Sequence, residues 1–323
     1  MATLDSLLSE AADRLRSGGL VVIPTETVYG LAADADNPAA VAAIFALKGR
    51  PTSRPLIVHI ASADALDDWA RQIPEYARTL ARTLWPGPLT LVLPRAPRVT
   101  DAVTGGQDTV ALRVPAHPLT LALLERFGGG LAAPSANRYG HISPTTPDHV
   151  RAEFGDATPL LLDGGPCAGG IESTIVACLD ETPCVLRPGL VSAERIAAIT
   201  GLPVMAQPAA DARLRTAGQD LSHYAPRTPA LMISRRALTD FRPASGVRAG
   251  FLGFAAPGLK VVLDLRLPLD PDTAAPHLYA ALHRLDAAGL DLLVIEAPPD
   301  EPGWAGIRDR LQRATARPTG NSD

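Results

Sequence analysis

The chain has 323 residues, of which 46% are hydrophobic and 20% charged, and its formal net charge is -4. This length is ample for a buried core and favours two domains over one. A protein that binds nucleic acid through the phosphate backbone usually has more basic than acidic residues. The net charge of this chain shows no such excess, although the net charge alone would not reveal a local basic patch.

The cysteines fit a reduced compartment, and the N-terminal residues show no signal-peptide pattern. The sequence contains Cys167, Cys178 and Cys184, and an odd number at no metal-like spacing argues against a disulfide framework or a zinc site. The chain begins without a basic segment followed by an apolar one, and no apolar stretch reaches the roughly 18 residues of a membrane span. We expect a soluble, cytoplasmic protein without membrane contact.

Helical and strand-like patterns alternate irregularly through residues 1–206. Apolar positions at helical spacing predict helices, and short apolar runs that end at Pro or Gly predict strands. The predicted helices are Leu4–Arg16, a helix from Asn37-Pro38 to about Lys48-Gly49, Leu66–Trp69, Tyr76–Leu84, Leu119–Phe127 and Ala193–Thr200. The predicted strands are Leu20–Ile23, Leu56–Ile60, Leu89–Leu93, Val110–Val114, Leu131–Ala133, Leu160–Asp163, Ser173–Ala177 and Cys184–Arg187. Because several strands follow one another directly, the pattern favours an α/β domain on a mixed sheet.

The periodicity fails over residues 207–227, a polar segment that we interpret as a linker. Beyond it the pattern predicts a second, smaller α/β unit. Its strands are predicted at Ala230–Ile233, Val247–Leu252, Val261–Leu265 and Leu292–Ile295, and its helices at Pro276–Ala288 and Gly306–Ala316. The expected domains are therefore 1–206 and 228–323, joined by 207–227, with fraying expected from Arg317 onward.

The run Pro24–Gly30 directly follows a predicted strand, where α/β proteins place ligands. Thr25, Glu26, Thr27 and Tyr29 supply hydroxyls and one carboxylate, which suit a small molecule with an amine and a hydroxyl. An ordinary polar turn that caps a helix explains the run equally well.

Cations are concentrated between Lys48 and Arg54, with Arg50 between them. They either stabilise a helix C-terminus or form a polyphosphate clamp, in which Lys is a point charge and Arg a bidentate fork. Arg113 lies in an otherwise apolar strand, so it must meet an anion, either a protein carboxylate or the carboxylate of a substrate amino acid. His59 ends another apolar strand, where a histidine is usually structural.

Hydroxyl and amide residues lie after further predicted strands at Ser135, Asn137 and Ser143 and open another at Ser173, which Gly164-Gly165 and Gly169-Gly170 precede. Glycines let a backbone approach phosphates closely, yet neither a Walker loop nor a Gly-x-Gly-x-x-Gly fingerprint occurs. The set suits one anionic nucleotide and one small polar co-substrate. Since there is no Ser-His-Asp or Cys-His arrangement and no metal-ligand cluster, the sequence favours positioning and charge stabilisation over covalent catalysis.

In their order and spacing, these runs resemble the YrdC-like family in its long, two-domain form, that of the threonylcarbamoyl-AMP synthases. The runs are Pro24–Gly30, Lys48–Pro51 with Pro55–His59, Arg113–Pro115, Pro134–Asn137, Ser143–Thr145, Glu172–Ile175, Leu186–Gly189 and His223–Pro226. The resemblance implies an α/β fold with a twisted mixed sheet, a concave face, and a smaller Rossmann-like α/β C-terminal domain.

The resemblance also implies an activity: L-threonine, bicarbonate and ATP, with Mg²⁺, become L-threonylcarbamoyl-AMP and pyrophosphate. This intermediate serves the threonylcarbamoyladenosine modification of tRNA next to the anticodon, with a downstream threonylcarbamoyl transferase complex as partner and tRNA contact as a possibility. The residues that look like the threonine pocket are Thr27, His59, Arg113, Ala133 (through its backbone) and Ser173. Those that look like ATP contacts are Arg50, Arg54, Thr109, Ser135, Asn137, Ser143, Arg187 and Tyr224. Lys48 and Arg50 look like the catalytic cations, Tyr224 like a lid, and no protein metal ligand is expected.

Two other functions stay open on the sequence alone. Related domains handle carbamoyl-adenylate in carbamoyltransferases, but those proteins usually add zinc fingers, which three cysteines cannot supply. A module that only binds RNA would use a basic concave face and aromatic stacking platforms. The net charge of -4 and the aromatic content of 4% weigh against that module.

Overall fold

The computed structural model describes residues 3–206, 215–216, 218, 223–255 and 258–316. It shows an α/β protein with two separate sheets, whose strands lie in residues 21–206 and 230–296. Much of the predicted linker, namely residues 207–214, 217 and 219–222, lies outside the described residues, as does the tail from Arg317 that the sequence predicts to fray.

Among the described residues, ten strands form the first sheet, in the order β10-β9-β8-β4-β5-β3-β6-β2-β1-β7. They are β1 (Val21–Ile23), β2 (Gly30–Asp34), β3 (Ile57–His59), β4 (Leu89–Pro94), β5 (Thr109–Arg113), β6 (Leu131–Ala132), β7 (Leu160–Leu161), β8 (Thr174–Ala177), β9 (Cys184–Arg187) and β10 (Met205–Ala206). β3 runs parallel to β5, whereas β4 runs antiparallel to it. The mixed sheet predicted from the sequence is thus confirmed.

The helices of this first unit pack against the sheet and place its loops. They are α1 (Leu4–Arg16), α2 (Pro38–Lys48), α3 (Leu66–Trp69), α4 (Glu75–Leu84), α5 (Asp101–Thr104), α6 (Pro118–Phe127), α7 (Pro147–Phe154) and α8 (Ala193–Thr200). In α2, the Asn37 side chain accepts hydrogen bonds from the first turn, and Gly49 ends the helix with a left-handed φ of 63°. These caps fix Lys48 at the helix end, next to the site described below.

In the part of the second unit that the structure describes, four strands form a fully parallel sheet in the order β11-β14-β12-β13. Its elements are β11 (Ala230–Ile233), α9 (Arg235–Leu238), β12 (Ala249–Gly253), β13 (Leu263–Arg266), α10 (Pro271–Asp286), β14 (Leu292–Glu296) and α11 (Ala305–Thr315). The parallel strands, with α9 between β11 and β12 and α10 between β13 and β14, confirm the Rossmann-like prediction.

Some element boundaries differ from the sequence prediction for identifiable reasons. β2 was not predicted, because Gly-Leu-Ala-Ala-Asp contains no β-branched residue. α7 was also not predicted. α10 begins at Pro271, because the Asp270 side chain caps it by accepting from Thr273 N; Pro276, the predicted start, lies inside the helix. Asp270-Pro271 is itself a strong helix-start pair.

The two units are in close contact at two glycine positions. A Cβ atom on Gly170, whose φ is 72°, would lie 2.3 Å from the carbonyl oxygen of Ala275 in α10. A Cβ atom on Gly306 in α11 would lie 3.1 Å from Gly189 O. These approaches bring α10 and α11 directly against the loops that precede β8 and follow β9.

The cysteines are all free thiols, with Cys167 and Cys178 buried and Cys184 half-buried. Burial raises the pKa of both buried thiols to about 12, so these two stay protonated at neutral pH. As for membrane segments, the described helices include none with the length and apolar composition of a span.

Candidate active site

A cavity lies at one edge of the first sheet, where the linker returns to it. Strands β3, β5 and β9 end at this edge and β4 and β8 begin there, as their parallel and antiparallel pairings require. All five residues expected to hold threonine line the cavity, namely Thr27, His59, Arg113, Ala133 and Ser173. Four of those expected to hold ATP also line it, namely Arg50, Ser135, Arg187 and Tyr224. Five further predicted residues lie outside its described lining: Lys48, Arg54, Thr109, Asn137 and Ser143.

The loop after β1 is held by a turn around the Thr25 hydroxyl. Thr25 Oγ1 accepts from Thr27 N and Val28 N, both at 3.2 Å, and lies 2.8 Å from Thr27 Oγ1. Tyr29 OH donates to Gly165 O at 2.7 Å, which ties the loop to the neighbouring glycine turn. The buried Thr27 hydroxyl is therefore fixed in the cavity wall.

Arg113, at the end of β5, meets a protein carboxylate. Its Nη2 lies 2.6 Å from Glu26 Oε1, without the alignment of a hydrogen bond, and its Nε donates to Gly87 O at 3.2 Å. The other Glu26 oxygen accepts from Ala116 N at 2.9 Å. The sequence left two possible partners for Arg113, a protein carboxylate and a substrate carboxylate. The structure shows the protein carboxylate, which belongs to Glu26. The guanidinium also lines the cavity, where a ligand carboxylate can meet it.

His59 ends β3 directly beside Arg113 in the parallel register. It is 3% exposed, and neither ring nitrogen has a hydrogen-bond partner among the described residues. Burial, together with the charge of Arg113, lowers the pKa of His59 well below its usual value. The imidazole is therefore neutral at physiological pH and offers a ligand one donor and one acceptor.

Ser173 joins the residues expected for threonine to those expected for the nucleotide. Its Oγ lies 2.8 Å from Thr90 Oγ1, and it accepts from Arg187 Nη2 at 3.2 Å. Arg187 also donates to Ser173 O from Nε at 3.2 Å and from Nη2 at 2.8 Å. Thr90, which the sequence analysis did not identify, is fully buried and fixes the rotamer of the serine.

Lys48 lies behind the cavity wall. Its Nζ donates to Ser135 O at 2.6 Å and also to Asn137 O. Burial, followed by the charge of Arg50, lowers the pKa of Lys48 well below its usual value. The lysine therefore holds the turn whose Ser135 lines the cavity.

Ala133 lines the cavity, whereas Asn137 lies outside its described lining. Ala133 N donates to Ile57 O at 3.0 Å, so any ligand contact through the Ala133 backbone must use its carbonyl oxygen. Asn137 is buried, and its Nδ2 donates to Arg138 O at 2.9 Å and to His141 O at 2.8 Å.

The remaining residues of the predicted ATP set surround the cavity. Arg50 lines it and donates to Pro55 O at 3.0 Å. Thr109 lines an adjoining cavity, which shares Pro55 with the first one. Ser143 donates to Glu172 Oε1 at 2.5 Å from a fully buried position. Arg54 is half-buried in the loop before β3 and lies outside both linings.

The linker returns to the cavity at His223 and Tyr224. Tyr224 is 2% exposed and has a left-handed φ of 59°, a conformation that non-glycine residues rarely adopt. Its neighbours are held on both sides, since Ala225 N donates to Gly140 O at 2.8 Å and His223 N donates to Arg313 O at 3.3 Å. Burial and the charge of Arg50 lower the pKa of His223 to about 3, so its ring is neutral.

A buried ionic cluster, for which the sequence predicted no role, joins the two units. Glu172 Oε2 accepts from Arg310 Nε at 2.7 Å and from Tyr279 OH at 3.0 Å. A sequence signal for Arg310 does exist: Ile307, Arg310 and Leu311 share the buried face of α11, which places a charge on an apolar stripe.

The lining does not fit a resident Mg²⁺ ion. Among the described residues, no group of three His, Cys, Asp or Glu could hold a metal. Glu172 supplies the carboxylate of the described lining, and its oxygens already accept from Ser143, Tyr279 and Arg310. Magnesium is usually bound through carboxylates and substrate phosphates, and this carboxylate is committed elsewhere.

A twisted mixed sheet, a parallel second sheet and a cation- and hydroxyl-lined cavity at their junction define the class of protein. The family model described as "Telomere recombination" matches residues 13–189, and the model described as "Threonylcarbamoyl-AMP synthase, C-terminal domain" matches residues 191–316. The chain therefore belongs to the threonylcarbamoyl-AMP synthase family, in its two-domain form.

Similar proteins extend along nearly the whole chain. The threonylcarbamoyl-AMP synthase of Bacillus subtilis (strain 168) is 37% identical and covers 97% of this chain and 94% of its own. That of Pyrococcus abyssi (strain GE5 / Orsay) is 37% identical, with 94% of this chain and 93% of its own covered. The structure of P. abyssi Sua5 complexed with L-threonine matches with a TM-score of 0.88 at 35% identity, over 97% of this chain and 95% of that one.

Proposed function

We propose that the cavity produces L-threonylcarbamoyl-AMP and pyrophosphate from L-threonine, bicarbonate and ATP. The observation that carries this proposal is that residues expected for threonine and residues expected for the nucleotide line one cavity and meet at Ser173 and Arg187. Family membership and the similarity to a threonine complex support it. The product serves tRNA modification. A downstream threonylcarbamoyl transferase complex, contact with tRNA and a cytoplasmic location are parts of the proposal that rest on the family resemblance.

Threonine would bind through its carboxylate and its hydroxyl. Arg113 presents a buried guanidinium to the cavity, and a charge-assisted hydrogen bond to a carboxylate is strong there. Neutral His59 and the fixed Thr27 hydroxyl suit the threonine side chain, because each can donate or accept. The Ala133 carbonyl and the Ser173 hydroxyl complete the pocket in this proposal.

The triphosphate would lie towards the cations Arg50 and Arg187, with Arg54 beyond them. Ser135, Asn137, Ser143 and Thr109 would supply polar contacts around the nucleotide. Because Lys48 already donates to two backbone carbonyls, we propose that it positions Ser135 and Asn137. We propose that Mg²⁺ enters with the phosphates as MgATP, as part of the substrate.

The reaction then follows from positioning and charge. The threonine amine adds to carbon dioxide derived from bicarbonate, releasing a proton and forming a carbamate. A carbamate oxygen bonds to the α-phosphorus of ATP, while the bond from that phosphorus to the bridging oxygen of the β-phosphate breaks and pyrophosphate leaves. Preorganised cations such as Arg50 stabilise the charge that develops on the leaving group. Tyr224, packed over the cavity, excludes water from a mixed anhydride that water would hydrolyse.

The direct test measures pyrophosphate release from MgATP with L-threonine or bicarbonate omitted in turn. Release that needs both substrates supports the synthase. Release without threonine would favour a carbamoyltransferase that uses carbamoyl-adenylate. Steeply salt-dependent RNA binding without any ATP turnover would favour the RNA-binding module.

A further inference from the structure

Arg310 of α11 enters the first unit as a fully buried cation. Its Nε donates to Glu172 Oε2 at 2.7 Å and its Nη2 to Glu172 O at 3.2 Å. Its Nη1 donates to Pro188 O at 2.8 Å and to Asp309 Oδ2 at 2.8 Å. Tyr224 lies close by, with the guanidinium carbon 5.4 Å from the centre of its ring. One side chain of the second unit therefore holds two backbone carbonyls of the first.

Those two carbonyls belong to the neighbours of proposed substrate contacts. Glu172 directly precedes Ser173, and Pro188 directly follows Arg187. Ser173 and Arg187 are themselves hydrogen-bonded to each other. Arg310 therefore holds the neighbour of each member of this pair, Glu172 and Pro188. Through Glu172 Oε1 the same arginine also acts on Ser143.

The buried ionic cluster around Glu172 and Arg310 is charged, and most of its polar groups have hydrogen-bond partners. Burial alone would raise the pKa of Glu172, but the charges of Arg310 and Arg187, with hydrogen bonds from Ser143 and Arg310, lower it to about 2. Removing a partner from a buried, satisfied ionic network leaves an uncompensated charge. Without Arg310, the Glu172 carboxylate would lose its principal partner and would compete with substrate phosphates for Arg187 and Ser143.

We propose that Arg310 is a positioning residue, through which the C-terminal unit holds Ser143, Ser173 and Arg187 in their nucleotide-binding arrangement. This inference rests on the proposed function. Arg310 lies outside the described cavity lining, so it acts through Glu172 and Pro188 and does not touch the substrate. The second unit thereby acquires a role in substrate binding.

The alternative is that Arg310 only stabilises the contact between the units. Arg308 provides a matched control, because it lies on the same helix but contacts Asp300 and Glu301 of its own unit. The experiment compares Arg310→Met, Arg310→Lys and Arg308→Met with the unmodified full-length chain. It measures the Kd of MgATP without threonine, the Kd of threonine without ATP, and the denaturation midpoint.

We expect Arg310→Met to raise the Kd of MgATP about tenfold or more, as loss of a residue that orients a ligand contact typically does. The Kd of threonine should change less, because Thr90 still holds Ser173. The Arg310→Lys protein should also bind MgATP weakly, even if its denaturation midpoint equals that of the unmodified chain. The reason is that an ammonium group cannot make the set of hydrogen bonds that the planar guanidinium makes. Arg308→Met should leave the Kd of MgATP unchanged.

An unchanged Kd of MgATP in Arg310→Lys, or equal losses in Arg308→Met and Arg310→Met, would overturn the inference. If Arg310→Met does not fold, Arg310→Lys is judged by the same criterion. Failure of the unmodified chain to bind MgATP would instead contradict the proposed function, so the two failures are distinguishable.

Discussion

Arg113 Nη2 lies 2.6 Å from Glu26 Oε1 and thereby joins the end of β5 to the loop after β1. In a ligand complex, the same guanidinium must share its donors between this carboxylate and the carboxylate of threonine. We expect Arg113→Ala to raise the KM for threonine about tenfold to a hundredfold, the range that corresponds to the loss of a charge-assisted hydrogen bond. The KM for ATP should change much less.

Threonine titrations of pyrophosphate release test this prediction. Arg98→Ala is the control, because Arg98 pairs with Asp36 at the protein surface, away from the cavity. An unchanged threonine KM in a folded Arg113→Ala protein would remove Arg113 from the threonine site.

Lys48 should matter more for ATP than for threonine. Its two hydrogen bonds support the turn that carries Ser135 and Asn137. Lys48→Met keeps the side-chain length but removes the donor, and we expect the KM for ATP to rise about tenfold, equivalent to about 1.4 kcal/mol. ATP titrations at saturating threonine measure this change, with Lys260→Met at an exposed position as the control. Equal ATP dependence in both variants would argue against a positioning role.

Stability should fall below pH 6.5 because buried histidines resist protonation. The pKa of His59 is lowered well below its usual value, that of His149 to about 4 and that of His223 to about 3, in each case first by burial. Above pH 6.5 these rings are neutral in both states. As the pH falls towards 4, the unfolded chain binds protons that the folded chain does not, which costs up to about 1.4 kcal/mol per pH unit for each histidine.

Denaturant unfolding at pH 7.5, 6.5 and 5.5, values chosen around the histidine transition, measures this loss. His149→Gln should weaken the dependence, since it removes one titrating ring. Glu172 contributes only at lower pH: with a folded pKa of about 2 against 4.5 unfolded, its stabilisation is lost as the pH falls through that interval. A free energy of unfolding that stays constant from pH 7.5 to 5.5 would contradict the prediction.

The contact between the units should not tolerate a side chain at Gly170. Gly170 and Gly165 have nearly equal φ values, 72° and 73°, but a Cβ on Gly170 would lie 2.3 Å from Ala275 O, whereas a Cβ on Gly165 would meet no atom within 4 Å. Gly165→Ala should therefore cost only the backbone strain, about 1–2 kcal/mol. Gly170→Ala should cost about 1–3 kcal/mol more, from overpacking. Comparing the two free energies of unfolding isolates the contact, and equal losses would show that the units are not in close contact there.

Local sequence patterns predicted the strands that end at the cavity, because each is a short apolar run with a polar residue at its end. The bounds of α1, α8, β9 and β11 agree with the prediction. The convergence of His59 and Arg113 also follows from sequence, since parallel strands end at the same edge of a sheet.

Long-range contacts were beyond this kind of prediction. Arg310 and Glu172 are separated by 138 positions, and neither local periodicity nor spacing pairs two residues so far apart. Lys48 illustrates a different limit: its position at the end of α2 was predicted, but the burial that directs it onto two carbonyls depends on the folded turn around Ser135.

In the proposed function, one cavity joins threonine, bicarbonate and ATP into a single product. The most direct measurement follows the reaction of ¹³C-bicarbonate, L-threonine and MgATP by mass spectrometry alongside pyrophosphate release. We expect labelled threonylcarbamoyl-AMP in equal amount to pyrophosphate, and at low threonine much less of both from Arg113→Ala. Pyrophosphate without the labelled product, or product formation that does not depend on threonine, would contradict it.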